Sequence, residues 1–537
     1  MANKSLFKSI AGRLLPKTDI LNEAGGNALA FGPEHALAQL ASTGCLNATF
    51  YASAETQLSS VVELATKVDP LFLAKTAVYA RQKGLMKDMP ALLLAVLSVR
   101  SPALFAQVFD RVIDDPKMLR TFVQIMRSGQ VGRKSLGTRP KKQILGWLES
   151  RTDEQLFRAS VGDSPSLADV LKMVHPKPAT DSRRALYGYL IGKEHAADQL
   201  PALVQCFEQY KADKTGDVPD VPFQLLTSLS LGPAEWTAIA RHASWQTTRM
   251  NLNTFARHGV FDVPGLTELV AARLRGPKAI ARARVLPYQL LMAYLATRGT
   301  AVPVAIAEAL QDAMEHATQN VPSFSREGKD AKVWVLPDVS SSMQSPVTGF
   351  KKGATSTARC VDVAALVAAT ILRQNRSAEV LCFDDTPKPV ALNPRDSVMT
   401  NAQRLAAVGG GGTNTSAPLA ALNAKKARAD LVIYVSDNQS WVDGRAVGAP
   451  TQTMIEWNAL VARNPGAKLV CIDLQPYAHT QAGGTAYSQL ATGPARERTD
   501  ILNVGGFSDR VFEVISAFAM GGLDQGHWVS VIGATNV

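Results

Sequence analysis

The sequence predicts an α + α/β protein in which a long helical part precedes a smaller domain built on a parallel sheet. Two patterns and the chain length carry this prediction. Apolar residues recur at three- and four-residue spacing from about residue 34 to 320, whereas continuously apolar strands alternate with helices after residue 330. A chain of 537 residues is also too long for a single hydrophobic core.

The helical part consists of short segments separated by short breaks. Stretches 54–68, 70–84, 102–113 and 116–129 each carry an apolar stripe, and the last three begin with proline after an aspartate or a serine. Many short helices with short connections favour an α-solenoid of paired helices. The sequence shows no strict period, so a non-repeating helical domain stays open as the alternative.

The part after residue 330 has the pattern of a doubly wound α/β domain. Continuously apolar stretches predict strands that are covered on both faces of a parallel sheet, with helices between them. The predicted strands are 331–337, 378–383, 429–436 and 467–474, and the predicted helices include 356–375 and 451–464. We therefore place the helical domain at residues 20–328 and the α/β domain at residues 329–537.

Charge and cysteine content narrow the function classes. The net charge is +11, and residues 1–330 carry 39 Lys and Arg against 30 Asp and Glu, while residues 331–537 carry 18 against 16. The basic excess of the helical part favours a polyanionic partner, although mildly basic proteins without one are common. The five cysteines are scattered, which predicts a reducing, cytoplasmic compartment. The sequence shows no apolar run of membrane length and no secretory signal, so we expect no membrane partner.

Oxygen-bearing side chains follow the predicted strands of the α/β domain. Asp338, Ser340 and Ser342 follow strand 331–337, Thr413 lies in the glycine-rich stretch 409–416, and Asp437 ends strand 429–436. Ligands of such sheets bind beyond the carboxyl ends of the strands. Two carboxylates and three hydroxyls suit Mg²⁺, with Mn²⁺ as the second choice. The alternative is that these side chains only cap helices and turns.

Two long windows of the helical part contain no acidic residue. The first runs from Asp115 to Glu149 and the second from Glu268 to Glu308. Cations without internal partners fit contact with a phosphate backbone, which needs charge and little sequence information. The alternative is that these windows are ordinary solvated helix faces. Aromatic residues are sparse in both windows, so we expect recognition by charge and shape more than by base stacking.

The α/β domain resembles a von Willebrand factor A domain. Its D-x-S-x-S signature matches Asp338, Ser340 and Ser342, its loop threonine matches Thr413, and its later aspartate matches Asp437. The resemblance implies a metal-ion-dependent adhesion site, where a carboxylate of a partner completes the metal shell.

The whole chain, from about residue 20 to 530, resembles the TROVE family of the Ro autoantigen and its bacterial relatives. The matching stretches are AGGNALAF (24–31), NATFYAS (47–53), RSGQVGRKSLGTRPKKQILGW (127–147), VLKMVHPKP (170–178), MNLNTFARHGVF (250–261), RVLPYQLLMAYLATRG (284–299) and SDNQSW (436–441). The resemblance implies a monomeric ring of HEAT-like helical repeats, with the A domain beside it.

The same resemblance implies an RNA-binding protein without enzymatic activity. Its partners would be a small structured noncoding RNA of the Y type on a basic outer surface, single-stranded ends of misfolded RNA in the central hole, and an exoribonuclease such as polynucleotide phosphorylase. The alternative is a metal-dependent protein-adhesion scaffold that acts through the A domain. The RNA contacts that we expect are Arg127, Arg133, Lys134, Arg139, Lys141, Lys142, His175, Lys177, Arg282 and Arg284.

Overall fold

The structure is a computed structural model, and it describes most of the chain from residue 18 to residue 537. The residues that it does not describe are 1–17, 44–45, 215, 284–286, 319–323, 327–328, 351–357, 376, 443–447, 484–497, 507–509 and 520–525.

The chain packs into two compact units. One unit holds the residues up to 67 together with 284–295 and 310–534, and the other holds 68–283, 296–309 and 535–537. We name them the A-domain unit and the helical unit. The predicted domain bounds, 20–328 and 329–537, stay predictions. The unit against which a segment packs does not show to which domain that segment belongs.

The helical unit is built from short helices with short connections. Its helices are Pro70–Gln82, Asp88–Arg100, Pro102–Val112, Pro116–Ser128, Thr138–Glu149, Asp153–Ala159, Leu167–Val174, Asp181–Ile191, Ala202–Asp213, Phe223–Leu226, Pro233–His242, Trp245–Met250, Leu252–Arg257, Leu266–Arg275 and Pro277–Ala283. The residues of helices Pro287–Thr297 and Val304–Thr318 are divided between the two units.

Local sequence signals explain where these helices begin. Asp115 accepts a hydrogen bond from the backbone N–H of Met118 (2.9 Å), and Pro116 follows it at the first helical position. The apolar stripes meet in a close-packed core, in which the rings of Phe105, Phe109 and Phe122 pack against one another. The four helices predicted at 54–68, 70–84, 102–113 and 116–129 are all present, with ends that differ by one or two residues.

The core of the A-domain unit is a five-stranded sheet in which all neighbours are parallel. Its strand order is Ile501–Gly505, Lys468–Asp473, Leu431–Ser436, Val333–Pro337 and Glu379–Val380. The helices of this unit, besides those at the front of the chain, are Cys360–Gln374, Val398–Ala406, Ala417–Ala424, Gln452–Arg463, Arg510–Ala519 and His527–Gly533. The short strands are Ser325–Arg326, Lys329–Asp330, Cys382–Phe383 and Pro387–Lys388.

The front of the chain adds to the A-domain unit. Strand Asn27–Ala30 pairs with Ile20–Leu21 on one side and with His479–Thr480 on the other, which makes a small antiparallel sheet. Helices Pro33–Thr43 and Ala54–Lys67 follow. The sequence did not predict this sheet or the strand Ile501–Gly505.

These elements confirm the predicted α + α/β class, with a helical array and a parallel-sheet A domain. Among the described residues, no helix combines the length and the apolar character needed to cross a membrane.

Candidate functional site

The two aspartates of the predicted metal site follow neighbouring strands of the sheet. Strand Val333–Pro337 ends directly before Asp338, and strand Leu431–Ser436 ends directly before Asp437. The strands pair in parallel with Pro337 opposite Val435, and the N–H of Asp338 donates to the carbonyl of Val435 (2.9 Å). The register therefore places both carboxylates at the same edge of the sheet.

Asp338 is fully buried and is held by hydrogen bonds. One of its oxygens accepts from the backbone N–H of Ser340 (2.8 Å), and the other accepts from the hydroxyl of Ser436 (2.6 Å). The hydroxyls of Ser340 and Ser342 lie 3.2 Å apart. The D-x-S-x-S turn thus gathers one carboxylate and two hydroxyls at one point.

Asp437 is also fully buried, but its carboxylate lacks partners. Neither oxygen has a hydrogen-bond partner of normal geometry among the described residues. Burial and the nearby charge of Asp338 raise the pKa of Asp437, although the Ser342 hydroxyl and two backbone N–H groups lower it in part. Burial also raises the pKa of Asp338. Two buried carboxylates without a cation are costly, so this arrangement fits a positive ion between them.

Backbone approach explains the glycines at 409–412. A Cβ atom on Gly410 would lie 1.8 Å from the carbonyl oxygen of Val339, whereas a Cβ on Gly409 would meet no atom within 4 Å. The N–H of Ser341 donates to the carbonyl of Gly411 (2.9 Å). The glycines therefore let the loop that carries Thr413 lie directly against the turn after Asp338.

The donor set fits a hard divalent cation. Asp338, Ser340, Ser342, Thr413 and Asp437 are all buried and supply oxygen atoms only. Within the described residues, no three His, Cys, Asp or Glu side chains form a metal-binding group, so hydroxyls have to complete this shell. A cation held there would supply a positive charge that attracts an anionic oxygen of a partner.

The front of the chain reaches this edge of the sheet, which the sequence reasoning missed. The side-chain amide of Asn22 donates to the carbonyl of Ser440 (2.7 Å), and a Cβ on Gly26 would lie 2.1 Å from that same oxygen. The Gln439 amide donates to Glu23, which also bonds His479. Two of the family-like stretches, AGGNALAF and SDNQSW, are therefore parts of one contact.

A second missed residue is Tyr51. Burial and the negative charges of Asp437 and Asp338 raise the pKa of its phenol to about 12, and the phenol lies close enough to the Ser342 and Thr413 hydroxyls to interact with them. Tyr51 belongs to the stretch NATFYAS, which matches the family pattern. That match could have indicated a functional residue.

The predicted RNA contacts lie in the helical unit at different places. Arg127 lies in the last turn of helix Pro116–Ser128, and Arg133 and Lys134 lie in the following loop. The first two turns of helix Thr138–Glu149 present Arg139, Lys141 and Lys142. His175 ends helix Leu167–Val174 in the left-handed conformation (φ 52°), and Lys177 follows it. Arg282 is exposed on helix Pro277–Ala283, and Arg284 lies outside the described residues.

A cleft of about 800 Å³ brings some of these cations together. Its cations are Arg127 and Lys134, which were predicted, and Lys172, which was not. None of the three forms an ion pair with another described residue, although Asp169 lies in the same cleft. Its lining residues are Gln124, Arg127, Ser128, Lys134, Ser164, Pro165, Asp169, Lys172 and Met173. The other predicted contacts do not line it.

Several cations of the acid-free windows hold the fold instead. Arg120 donates to the carbonyl of Ala159 (3.1 Å), and Arg273 donates to the carbonyls of Ala240 (2.7 Å) and Arg241 (2.6 Å). Burial lowers the pKa of both guanidinium groups. The absence of acids in a window therefore does not mean that its cations are free, because carbonyl oxygens can take their place.

The chain is similar to known proteins over both units. Residues 332–519 match the family model described as the Ro60 vWA domain. The RNA-binding protein RO60 of Deinococcus radiodurans is 25% identical, in an alignment that covers 96% of this chain and 99% of that protein. The crystal structure of the Deinococcus radiodurans Ro (RSR) protein superposes with a TM-score of 0.61 at 20% identity, and covers 92% of this chain and 100% of that one.

Proposed function

Because this chain is a Ro-like protein with a von Willebrand factor A domain, we propose that it binds RNA through the helical unit. The observation that carries the proposal is the cleft that contains Arg127, Lys134 and Lys172. The name of the relative, an RNA-binding protein, supports it over nearly the whole length of the chain. The two acid-free windows of the same unit also support it.

The geometry of the cleft suits a phosphate backbone. Its three cations come from helix Pro116–Ser128, from the loop after it and from helix Leu167–Val174, and all three line the same cleft. Arg127, Lys134 and Lys172 are exposed and can move to follow a phosphate. Such contacts position RNA without reading its sequence.

The finer role that we propose follows from the likeness to Ro proteins. The RNA is a small structured noncoding RNA of the Y type on the basic surface, and single-stranded ends of misfolded RNA enter a ring of helical repeats. The chain then takes part in RNA quality control together with an exoribonuclease such as polynucleotide phosphorylase. In this role the chain binds and presents RNA and does not cleave it.

Charge reversal in the cleft tests the proposal. We expect Arg127→Glu, Lys134→Glu and Lys172→Glu together to weaken binding of a structured small RNA at least tenfold, because three phosphate contacts are lost. The control reverses Lys83, Lys193 and Arg257, which are exposed in the same unit but lie outside the cleft. Both variants change the net charge equally, from +11 to +5, since each reversal changes the charge by two.

Filter binding or electrophoretic mobility shift at several salt concentrations would measure the affinity. The slope of log affinity against log salt should become shallower by about 0.7 for each lost single-strand phosphate contact. Equal losses in the cleft variant and in the control would show that RNA responds only to net charge, and the cleft would not be the site.

A second candidate function is metal-dependent binding of a partner carboxylate by the A domain. The specific observation in its favour is Asp437, which is fully buried with both oxygens unpartnered among the described residues. A divalent cation at Asp338, Ser340, Ser342, Thr413 and Asp437 would neutralise this charge. The function uses the A-domain unit, so it is compatible with RNA binding by the helical unit.

Neighbouring serines provide a matched test of the metal site. Ser342 is buried beside Ser340, whereas Ser341 is exposed and its hydroxyl donates to the carbonyl of Gly410 (2.9 Å). We expect Ser342→Ala to weaken Mn²⁺ binding about tenfold or more and Ser341→Ala to leave it nearly unchanged. Electron paramagnetic resonance of free Mn²⁺ measures both affinities. If Ser341→Ala had the same effect as Ser342→Ala, the predicted ligand set would be wrong.

A further inference from the structure

Three aromatic side chains of the A-domain unit are unusually exposed. Among the described residues, the phenylalanine and tryptophan side chains that are exposed are Phe50 (53%), Phe350 (54%) and Trp441 (55%). Trp441 lies beside the loop of Thr413, Phe50 precedes Tyr51, and Phe350 lies in a segment that pairs with residues 47–48. We name the three exposed side chains the aromatic rim. Exposed large apolar side chains commonly mark an interaction surface.

Trp441 lies directly beside the loop that carries Thr413. Its backbone N–H donates to the carbonyl of Thr413 (3.4 Å), and its indole nitrogen lies 2.5 Å from where a Cβ on Gly412 would be. The indole is therefore packed along the glycine backbone, with more than half of its surface left in solvent.

Phe50 and Phe350 come from two segments that pair with each other. The N–H of Phe350 donates to the carbonyl of Ala48 (2.8 Å) in an antiparallel bridge, and the Asn47 side chain donates to the carbonyl of Thr348 (2.8 Å). The Phe50 ring packs edge-on against Tyr51 with ring centres 4.8 Å apart, and Tyr51 is the phenol that reaches toward the metal site. Phe50 thus contacts the ring whose phenol interacts with the predicted ligands.

Two carboxylates lie beside the glycine loop against which Trp441 packs. The N–H groups of Gly411 and Gly412 donate to Asp384 (3.0 Å) and to Asp385 (2.9 Å), respectively. Lys388 forms an ion pair with Asp384, whereas no described cation pairs with Asp385. A phosphate backbone would bring several negative charges beside Asp385, whereas a single carboxylate brings one.

We propose that the aromatic rim and the metal site form one binding surface for a protein segment that presents Asp or Glu next to a large apolar side chain. The carboxylate completes the metal shell, and the neighbouring side chain packs on Trp441 and Phe50. This inference rests on the metal-dependent binding proposed above and adds the specificity of that site. It also makes the surface composite, because Phe50 and Tyr51 come from the front of the chain.

Short peptides test this specificity with the full-length chain. The probes are three capped hexapeptides of glycine whose central pair is Asp-Phe, Asp-Gly or Asn-Phe, and ligand-observed NMR titration measures their affinities in Mg²⁺ and in EDTA. We expect the Asp-Phe peptide to bind about threefold to tenfold more tightly than the Asp-Gly peptide. The Asn-Phe peptide should not bind measurably, and EDTA should abolish binding of both Asp peptides.

Variants of the rim separate the two parts of the surface. Trp441→Ala and Phe50→Ala should each remove most of the preference for Asp-Phe, while both keep the Mn²⁺ affinity of the unchanged chain. The control is Ile455→Ala, an exposed apolar residue on helix Gln452–Arg463 of the same unit, which should keep the preference.

The possible failures are distinguishable. If neither Asp peptide bound in a Mg²⁺-dependent manner at up to about 5 mM, the metal-dependent function would fail and the rim with it. If both Asp peptides bound equally, the rim would be overturned while the metal-dependent function stood. If a uridine hexanucleotide bound in Mg²⁺ and lost affinity in Trp441→Ala but not in the cleft variant, the surface would belong to RNA and the protein partner would be rejected.

Discussion

The cleft of the helical unit and the predicted metal site of the A-domain unit differ in how their charged side chains are stabilised. In the cleft, Arg127, Lys134 and Lys172 are exposed and need no internal partner, because water solvates them. In the metal site, Asp338 and Asp437 are fully buried, and water cannot perform this role. An exposed charge is therefore stable without a partner, whereas a buried charge requires one as part of the fold.

The largest expected effect concerns the backbone that builds the metal site. Gly410→Ala should destabilise the A-domain unit by about 3 kcal/mol or more, because its Cβ would overlap the carbonyl oxygen of Val339 and the backbone has to move. Thermal unfolding followed by circular dichroism measures this change.

The matched control is Gly409→Ala, because a Cβ there meets no atom within 4 Å. Gly409→Ala should change stability by less than about 1 kcal/mol. If the two variants unfolded at the same temperature, close approach of the glycine loop would not be what holds the metal site together.

A smaller effect on stability distinguishes the cations of the helical unit that hold the fold from those that are exposed. Arg183 is partly buried, forms an ion pair with Asp153 and donates to the carbonyls of Leu148 (3.2 Å) and Arg151 (2.6 Å). Arg183→Ala should therefore cost about 2–3 kcal/mol in the free energy of unfolding, since buried acceptors lose their donor. Urea denaturation measures this difference.

The adjacent residue is the control. Arg184 forms an exposed pair with Asp181, in which both side chains are about 70% exposed (69% and 72%). Arg184→Ala should change the free energy of unfolding by less than about 0.5 kcal/mol. Equal losses for Arg183→Ala and Arg184→Ala would remove the distinction between structural and free cations on which the choice of the cleft residues depends.

The smallest effect is a gain in stability when a buried charge is removed. In EDTA at about pH 8, Asp437→Asn should raise the free energy of unfolding by about 1–2 kcal/mol, because the raised pKa of Asp437 makes its ionised form unfavourable in the folded chain. Mg²⁺ should stabilise the unchanged chain and not the variant. Thermal melts at matched pH, with Mg²⁺ or EDTA, measure both effects.

The raised pKa of Asp437 also determines how the stability of the folded chain changes with pH. The folded chain holds this proton more tightly than the unfolded chain, so the stabilising contribution is complete below about pH 4, the ordinary Asp value. That contribution is lost as the pH rises through the raised value of the folded chain. The difference between variant and unchanged chain should therefore grow with pH in EDTA. A difference that stayed constant from pH 4 to pH 8 would mean that Asp437 does not titrate in a raised range.

The sequence could predict those parts of the fold whose signals are local. Helices such as Pro116–Ser128 have an apolar stripe and a cap within a few residues, and strand Leu431–Ser436 is apolar up to its last residue. The D-x-S-x-S turn is also local, so its residues and their place after a strand could be predicted. The proposed roles of these residues as metal ligands stay predictions.

The missed parts depend on residues far apart in sequence. Strand Ile501–Gly505 has Asn503 at its centre, and a buried asparagine is unfavourable in a strand unless it is hydrogen-bonded. Its side chain forms hydrogen bonds with the hydroxyl of Thr480 (2.8 Å) and the carbonyl of Ala482 (3.0 Å). Lys172 lies outside the acid-free windows and reaches the cleft only because its helix packs there. Strand Asn27–Ala30 has four residues, and its partner lies near the other end of the chain.

That last pairing has a consequence for synthesis. Leu29 pairs with Thr480, so about 450 residues have to be made before the first strands find their partner. At about 5–20 residues per second this takes roughly 20–90 seconds, during which the front of the chain has no sheet to join. Helices Pro70–Gln82, Asp88–Arg100 and Pro102–Val112 of the helical unit can fold in that interval, since they contact one another and follow one another along the chain. The contacts between the front of the chain and the edge of the A-domain sheet are therefore among the last to form during synthesis.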